Sequence, residues 1–382
     1  MKRGAFLSAG LAAAALAPQS ARAQLRGFQQ RLTIGINAPL SGSAQDAGAQ
    51  LTAGVQAAID FANQYTPMVT SAFALRLFDT AGDFAQLVNN VQFAAGDPSV
   101  VALITVGAPA AIERALPAYA NAQMPLIVPA STADALTARG YRLIWRLPTR
   151  DTLEGQMFAR FIGSRARPKF GLAVSQTGVY GGDVMNGFTA AARGAKFKAD
   201  GYFFPSDSPN YRAAAKTIAG LGPDLVYLCG SVGGLGPLIP ALHDAGYTGK
   251  LGACEAFYDG ATLKEYAGAF DGGYISTSFP PLDRNLNASQ ELMNLRTRAN
   301  ISILTAFAYA SAQIVMSAVR RTGATNRLAA MSALQAPSTY NTILGQFYFA
   351  PTGDPVDPNL YFYTIDRGAF RFAASSHPGV FL

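Results

Sequence analysis

Histidine is almost missing from this chain: 382 residues include only His243 and His377, and neither has a spaced partner. A zinc-type site needs three or four ligands, so metal binding fails on ligand count. The commonest general base is also scarce, and catalysis would require a nucleophile with a base, a metal or paired carboxylates. Cysteine is equally sparse, with Cys229 and Cys254 lying 25 residues apart. Charged residues make up only 14% of the chain, and no run of basic residues interleaves with aromatics as a nucleic-acid groove requires. Beyond the N-terminus no stretch of about 20 apolar residues is free of charges and glycine breaks, which argues against a membrane span. Short internal repeats and low-complexity linkers are absent as well.

Apolar residues, in contrast, are half of the total, enough for a large buried core. The first residues read as a signal peptide. Lys2 and Arg3 form a basic start, Ala5 to Ala17 a short apolar run, and Ala21-Arg22-Ala23 a small-residue cleavage site. The spacing of Lys2-Arg3 does not suit a twin-arginine signal, and no cysteine near the cleavage point would carry a lipid anchor. Processing after Ala23 leaves about 359 residues, and the formal charge drops from +7 to +4 because Lys2, Arg3 and Arg22 leave. That length suits two lobes of roughly 150 to 180 residues.

Along the mature chain, continuously apolar or alternating runs are followed by helical ones, the pattern of repeated βα units with parallel sheets. Leu32, Ile34 and Ile36 mark a first strand, and Leu51, Val55, Ala58, Ile59 and Ala62 share one helical face. Further strands are expected at Leu75–Phe78, Val100–Thr105 and Pro125–Pro129. Asp83 is placed to cap a helix carrying Phe84, Leu87, Val88 and Val91. A helix over Ala110–Ala120 is interrupted by Pro117. After Trp145 the cycle restarts, with Asp151 and Glu154 at the spacing of a capping box ahead of a helix to Phe161. Strands then follow at Phe170–Ser175, Tyr202–Phe204, Asp224–Cys229, Leu251–Glu255 and Tyr274–Phe279, with helices around Ala213–Ala219, Leu238–Ala245 and Leu263–Phe270. A helical stretch over 289–336 precedes aromatic-rich strands around Thr352-Gly353-Asp354-Pro355.

In open parallel sheets, ligands bind beyond the carboxyl ends of strands. Candidate pocket residues are therefore Ser41 after the first strand, Gly107 and Ala108 after the third, Ala130, Ser131 and Thr132 after the fourth, and Tyr180 and Ser231 in the second half. Backbone N–H groups with the Ser131 and Thr132 hydroxyls would hold a carboxylate or another polar acceptor. The alternatives are a helix N-cap for Ser131 and Thr132 and a packed core position for Tyr180. Cys229 and Cys254 could bridge if their strands are parallel neighbours, or remain two buried thiols. Asp79 and Asp83 are four apart, and a loop with a helix cap explains them.

Ile34-Gly35-Ile36-Asn37-Ala38-Pro39-Leu40-Ser41-Gly42, followed by Pro129-Ala130-Ser131-Thr132, Trp145-Arg146, Asp151 with Gly155-Gln156, Tyr180-Gly181 and Tyr309-Ala310, resembles the leucine/isoleucine/valine-binding family of periplasmic proteins in order and spacing. The resemblance implies an α/β, type I periplasmic-binding fold: two Rossmann-like lobes with parallel sheets and a three-crossing hinge, ligand in the cleft and no cofactor. Crossings near Leu147, Ser278 and Asn341 would divide the chain into lobe 1 (24–147 plus 279–341) and lobe 2 (148–278 plus 342–382). It also places Glu255 near an acid that pairs with a ligand ammonium. Where amino-acid-binding members carry a serine- and threonine-rich turn, this chain has Gly107-Ala108-Pro109-Ala110-Ala111. That departure brings small acids, amides and aromatic compounds alongside amino acids. The implied role is the periplasmic solute-binding component of an ABC importer, monomeric, not an enzyme, with a small-molecule ligand, an inner-membrane ABC permease as partner and no nucleic acid. A ligand-sensing subunit and, further off, an exported enzyme are the alternatives.

Overall fold

The computed structural model describes residues 30–65, 71–178, 180–281, 289–298, 301–377 and 380–381, and the expected signal peptide at 1–23 lies outside them. The first half alternates β1 (Gln30–Ala38), α1 (Gln45–Tyr65), β2 (Ser71–Asp79), α2 (Phe84–Ala95), β3 (Val100–Thr105), α3 (Pro109–Asn121), β4 (Leu126–Val128), the single turn α4 (Ala135–Ala138) and β5 (Ile144–Arg146). These strands form one parallel sheet in the order β2-β1-β3-β4-β5. Every residue of β3 is buried, as a strand covered by helices on both faces requires.

The second half continues with α5 (Asp151–Arg165), β6 (Phe170–Gln176), α6 (Gly182–Ala192), β7 (Lys198–Phe204), α7 (Tyr211–Leu221), β8 (Leu225–Leu228), α8 (Val232–Leu235), α9 (Leu238–Asp244), β9 (Lys250–Ala253), a 3-10 turn at Glu255–Phe257, α10 (Gly260–Phe270) and β10 (Tyr274–Thr277). Then come α11 (Ser289–Arg298), α12 (Ile303–Thr322), α13 (Arg327–Gln335), β11 (Thr339–Thr342), β12 (Gly345–Tyr348), β13 (Leu360–Asp366), β14 (Ala369–His377) and β15 (Val380–Phe381). A second sheet runs β15-β14-β13-β10-β9-β8-β6-β7, parallel from β6 to β10 and antiparallel where β13 to β15 join it. The two sheets have separate cores, so the chain folds as two α/β lobes, as expected. In each lobe the strand order reverses next to its first strand, between β1 and β3 and between β6 and β8. Those are the switch points at which loops diverge and leave a crevice.

The helical periodicity agrees with the packing. Leu51, Val55, Ala58, Ile59 and Ala62 of α1 are all buried, facing α12. Asp83 caps α2, its carboxylate accepting from Gln86 N at 2.7 Å. Pro117 does not interrupt α3, which continues through it to Asn121. Among the described residues one helix, α12, is long and apolar enough to cross a membrane by composition; it is a core helix of the first lobe, buried over most of its length.

The third crossing departs from expectation. Strands β11 and β12 pair only with each other, and their Tyr340, Ile343 and Leu344 are buried in the first lobe's core, with Phe347 and Phe349 packed on it. The chain joins the second sheet only at Leu360, so 342–359 belongs with the first lobe rather than the second. The apolar side chains of the hairpin pack against α12, a contact between distant segments that its own alternation does not reveal.

Arg146, at the end of β5, is 0% exposed and holds this corner together. Its Nη2 donates to Asp354 Oδ1 and to Thr137 Oγ1, both at 2.6 Å, while Nη1 donates to Ala133 O at 2.6 Å. Gly353 adopts a φ of 89°, accepts from Arg146 N at 2.9 Å and lies so close to Ile144 O that no side chain fits there. Removing one partner of a buried ion pair leaves an uncompensated charge, so Asp354→Ala is expected to lower unfolding free energy by about 3 kcal/mol. Urea denaturation followed by circular dichroism checks this against the unsubstituted chain.

Candidate functional site

The loops leaving the carboxyl ends of both sheets meet near the first crossing. Thr132, after β4, accepts from Asp151 N at 3.0 Å, and Asp134 accepts from Thr152 N at 3.1 Å, so the first lobe's loop touches the start of α5. Helices α5 and α6 then cross at van der Waals range. A side chain at Gly155 would strike Val184 O, and one at Gly187 would strike Thr152 O. This close crossing sets the first turns of both helices, with Asp151, Glu154 and Asp183, beside the loop that carries Tyr180.

The candidate residues divide by what their side chains do. Ser131 is 5% exposed and its hydroxyl has no partner in the protein. Neither Ser131 nor Thr132 caps α4, which begins at Ala135 after Asp134, so the helix-cap alternative fails for both. Ala130, Gly107 and Ala108 are exposed, and Ala108 precedes α3 with no side-chain cap. The Ser41 hydroxyl donates to Asp79 Oδ2 at 2.6 Å, and with the N–H groups of Ala81 and Leu40 it holds the Asp79 carboxyl below its usual range. Ser231 caps α8, its Oγ accepting from Gly234 N at 3.2 Å, which is the work of a helix end. Asp83, the other acid of the Asp79 pair, is the α2 cap already described.

Tyr180 is partly buried and its hydroxyl donates to Cys254 Sγ at 3.7 Å. Burial pushes the phenol well up, and the neighbouring Cys254, Glu154, Asp151 and Glu255 push it further. The next residue, Gly181, has φ 119° and packs directly on the Cys229 carbonyl, which orients the Tyr180 loop against β8. Both cysteines are free and buried, at adjacent ends of β8 and β9. Cys254 Sγ accepts from Gly230 N at 3.4 Å, and burial pushes its thiol up to about 12.

Glu255, just after β9, lies in the same place. Its carboxylate accepts from Ser278 N at 2.5 Å and from Thr277 Oγ1 at 3.4 Å, and its own N–H donates to Glu154 Oε1 at 2.8 Å. Burial raises the Glu255 carboxyl, opposed by those hydrogen bonds. Ser278 in turn accepts from Thr149 N at 2.9 Å, joining the first and second crossings directly beneath the site.

Two site residues were read differently from the sequence. The spacing of Asp151 and Glu154 fits a capping box, but Arg150 is the N-cap residue, in extended conformation, and Glu154 N donates to its carbonyl at 2.9 Å. Glu154 instead points inward, 1% exposed, and accepts from Ser276 Oγ at 2.7 Å as well as from Glu255 N. Burial and the Glu255 charge raise its carboxyl well above the ordinary range. Asp151 is 4% exposed, with Oδ1 lacking a partner. Burial pushes it up to about 7, a shift the Thr132 hydrogen bond opposes and the charges of Asp134 and Asp183 increase. Two acids three residues apart at a helix start carry no sequence signal of this, because it is contact with distant segments, β10 and the residue after β9 for Glu154 and the loop after β4 for Asp151, that surrounds them.

The architecture and the site have counterparts among known proteins. A family model for periplasmic binding proteins matches residues 31–369. The chain belongs to that family. The resemblance to leucine/isoleucine/valine-binding proteins is borne out by relatives: a Leu/Ile/Val-binding protein homolog 3 from Brucella melitensis is 26% identical over 88% of this chain and 92% of its own. Among solved structures, the branched-chain amino acid transporter substrate-binding protein LivJ from Streptococcus pneumoniae, in complex with isoleucine, superposes with a TM-score of 0.76 at 20% identity, covering 92% of this chain and all of that one. A solute-binding protein of an ABC transporter from R. palustris, in complex with benzoate, gives 0.74 at 18% identity, covering 92% and 97%. The type I fold expected from the sequence is therefore the fold of this periplasmic binding protein.

A cavity of about 410 Å³ also opens at the hinge of this binding protein, lined by Leu147, Thr149, Ser278, Gln346 and Tyr361. None of the candidate residues lines it.

The carboxyls make a pH prediction. The Asp151 pKa rises from 3.8 unfolded to about 7 folded, so the native state holds its proton more tightly. Its contribution to stability is complete below about pH 4 and is lost as pH rises through 7; Glu154 and Glu255, shifted in the same direction, add to it. The melting temperature of the ligand-free protein is expected to fall between pH 5 and pH 8, and Asp151→Asn to flatten that fall. A series of thermal melts across the range, for both chains, measures it.

Proposed function

We propose that this chain is the periplasmic solute-binding component of an ABC importer, and that it takes a small molecule into the crevice between its lobes. Amino acids stand first as ligands, with small carboxylates, amides and aromatic acids as the remaining classes. The observation that carries this reading is the pair of unpartnered polar atoms, Ser131 Oγ and Asp151 Oδ1, buried where the loops of the two lobes meet. Buried polar groups are ordinarily hydrogen-bonded, and a ligand with donors and acceptors satisfies both. Relatives named as leucine/isoleucine/valine-binding proteins and a structural neighbour named as a branched-chain amino acid transporter component support transport as the role. No chemical step is needed. Ser131, Thr132, Tyr180 and Glu255 would contact the ligand, with Gly107, Ala108 and Ala130 contributing backbone. Ser41 and Ser231 would stand behind it, since their hydroxyls already serve Asp79 and the α8 cap. Hinge closure over the ligand would complete contacts from both lobes and present the closed form to a permease.

A thermal-shift screen of the purified protein against amino acids, small carboxylates, amides and aromatic acids tests this. A ligand at a hundredfold excess over its dissociation constant is expected to raise stability by about 2.7 kcal/mol. If no compound moves the melt, binding in the crevice is the wrong reading. For any compound that does bind, Ser131→Ala is expected to weaken affinity about tenfold by calorimetry, the loss of one hydrogen bond in a buried site.

A further inference from the structure

The site has an excess of acid over cation: only Arg146 acts on Asp151, and it does so without an ion pair. Asp151, Glu154 and Glu255 surround Tyr180, and Asp183 faces Asp134 at the rim. Among the described residues, no lysine or arginine forms an ion pair with Asp151, Glu154, Asp183 or Glu255. The two arginines nearby make their ion pairs elsewhere: Arg146 pairs with Asp354, and Arg150 lies 3.9 Å from Asp134. Nor do these acids form a metal site, since among the described residues no group of three is arranged to hold an ion.

The opposite requirement, side-chain donors for a ligand anion, is poorly met. At the start of α3, Pro109 has no N–H and the N–H groups of Ala111 and Ile112 both donate back to Ala108 O, which leaves the Ala110 N–H as the donor of that first turn. The turn Gly107-Ala108 brings no hydroxyl, and the Ser41 hydroxyl already donates to Asp79. Among the candidate side chains what remains is the Ser131 hydroxyl, set against the buried and unpartnered Asp151 Oδ1 and the two glutamates, Glu154 and Glu255. Burying a carboxylate without a counter-charge is expensive, and burying several side by side is worse. A ligand cation relieves both penalties at once, whereas a ligand carboxylate adds to them.

We propose that the cleft selects an organic amine of net positive charge, a basic amino acid or a diamine, with its cationic groups held among Asp151, Glu154 and Glu255, and that it rejects monocarboxylic aromatic acids. This rests on the reading of the cleft as the ligand site and narrows it to one class. It also separates this chain from the structural neighbour crystallised with benzoate, whose ligand is an anion.

Isothermal titration of the purified protein with L-arginine, putrescine, L-leucine and benzoate tests the proposal, repeated with Glu154→Gln and with Asp151→Asn. Either substitution removes one buried acid and keeps the shape, so at least one is expected to fold. The expected result is that arginine or putrescine binds at least tenfold more tightly than leucine or benzoate, and that the variants reduce this margin about tenfold. Leucine or benzoate binding as tightly as the cations overturns the proposal while leaving a ligand-binding cleft intact. Cation binding unchanged in both variants overturns it too, by placing the cation elsewhere. Failure of both cations to bind also sinks it, and silence from all four compounds would count against the cleft reading as well.

Discussion

A guanidinium with no contact with water needs a carboxylate and a full set of acceptors, and the ion pair of Arg146 with Asp354 meets that need in a way that organises much of the molecule. The donors of Arg146 reach Ala133 and Thr137, which shapes the loop carrying Ser131 and Thr132. Its acceptor, Asp354, lies more than two hundred residues later, so the tail is drawn back to the first lobe before it can enter the second sheet. The position of the third crossing and the shape of the candidate site are therefore linked through the demand of a single buried charge for satisfied neighbours.

A second chain of polar contacts ties the site to the hinge. Thr149 of the first crossing bonds to Ser278 of the second, Ser278 bonds to Glu255, and Ser276, two residues back, bonds to Glu154. In the proposed reading, a ligand that engages either glutamate would act on groups already bonded to the first two crossings. The acids are thus poorly placed for stability and well placed for coupling. Such buried carboxylates reduce the stability of the empty protein, and sites that do so are where function is most often found.

How much of this was legible in the sequence depends on how local each feature is. The buried strand β3, the apolar face of α1 and the Asp83 cap are set by residues within one element, and each agrees with the structure in type and nearly in extent. The strand-end rule led to Ser131 and Tyr180 because parallel sheets dictate where loops converge. It also led to Ser41 and Ser231, whose hydroxyls serve a neighbouring aspartate and a helix end, a distinction that requires knowing which partner lies within 3 Å. Helix α6 escaped notice because glycines at 181, 182 and 187 disguise it, although two of them are what allow the turn at β8 and the crossing with α5.

By itself the sequence determined that the chain is a two-lobed α/β protein, with strand ends as the place to look for a ligand, because hydrophobic periodicity and βα alternation are properties of short segments. The tertiary structure decided the rest. It turned Asp151 and Glu154 from an apparent helix cap into buried acids, assigned the β11–β12 hairpin to the first lobe and left the cysteines as free thiols on neighbouring strands. Those outcomes depend on desolvation and on contacts between residues 20 to 200 positions apart, and neither is written in the spacing of nearby residues.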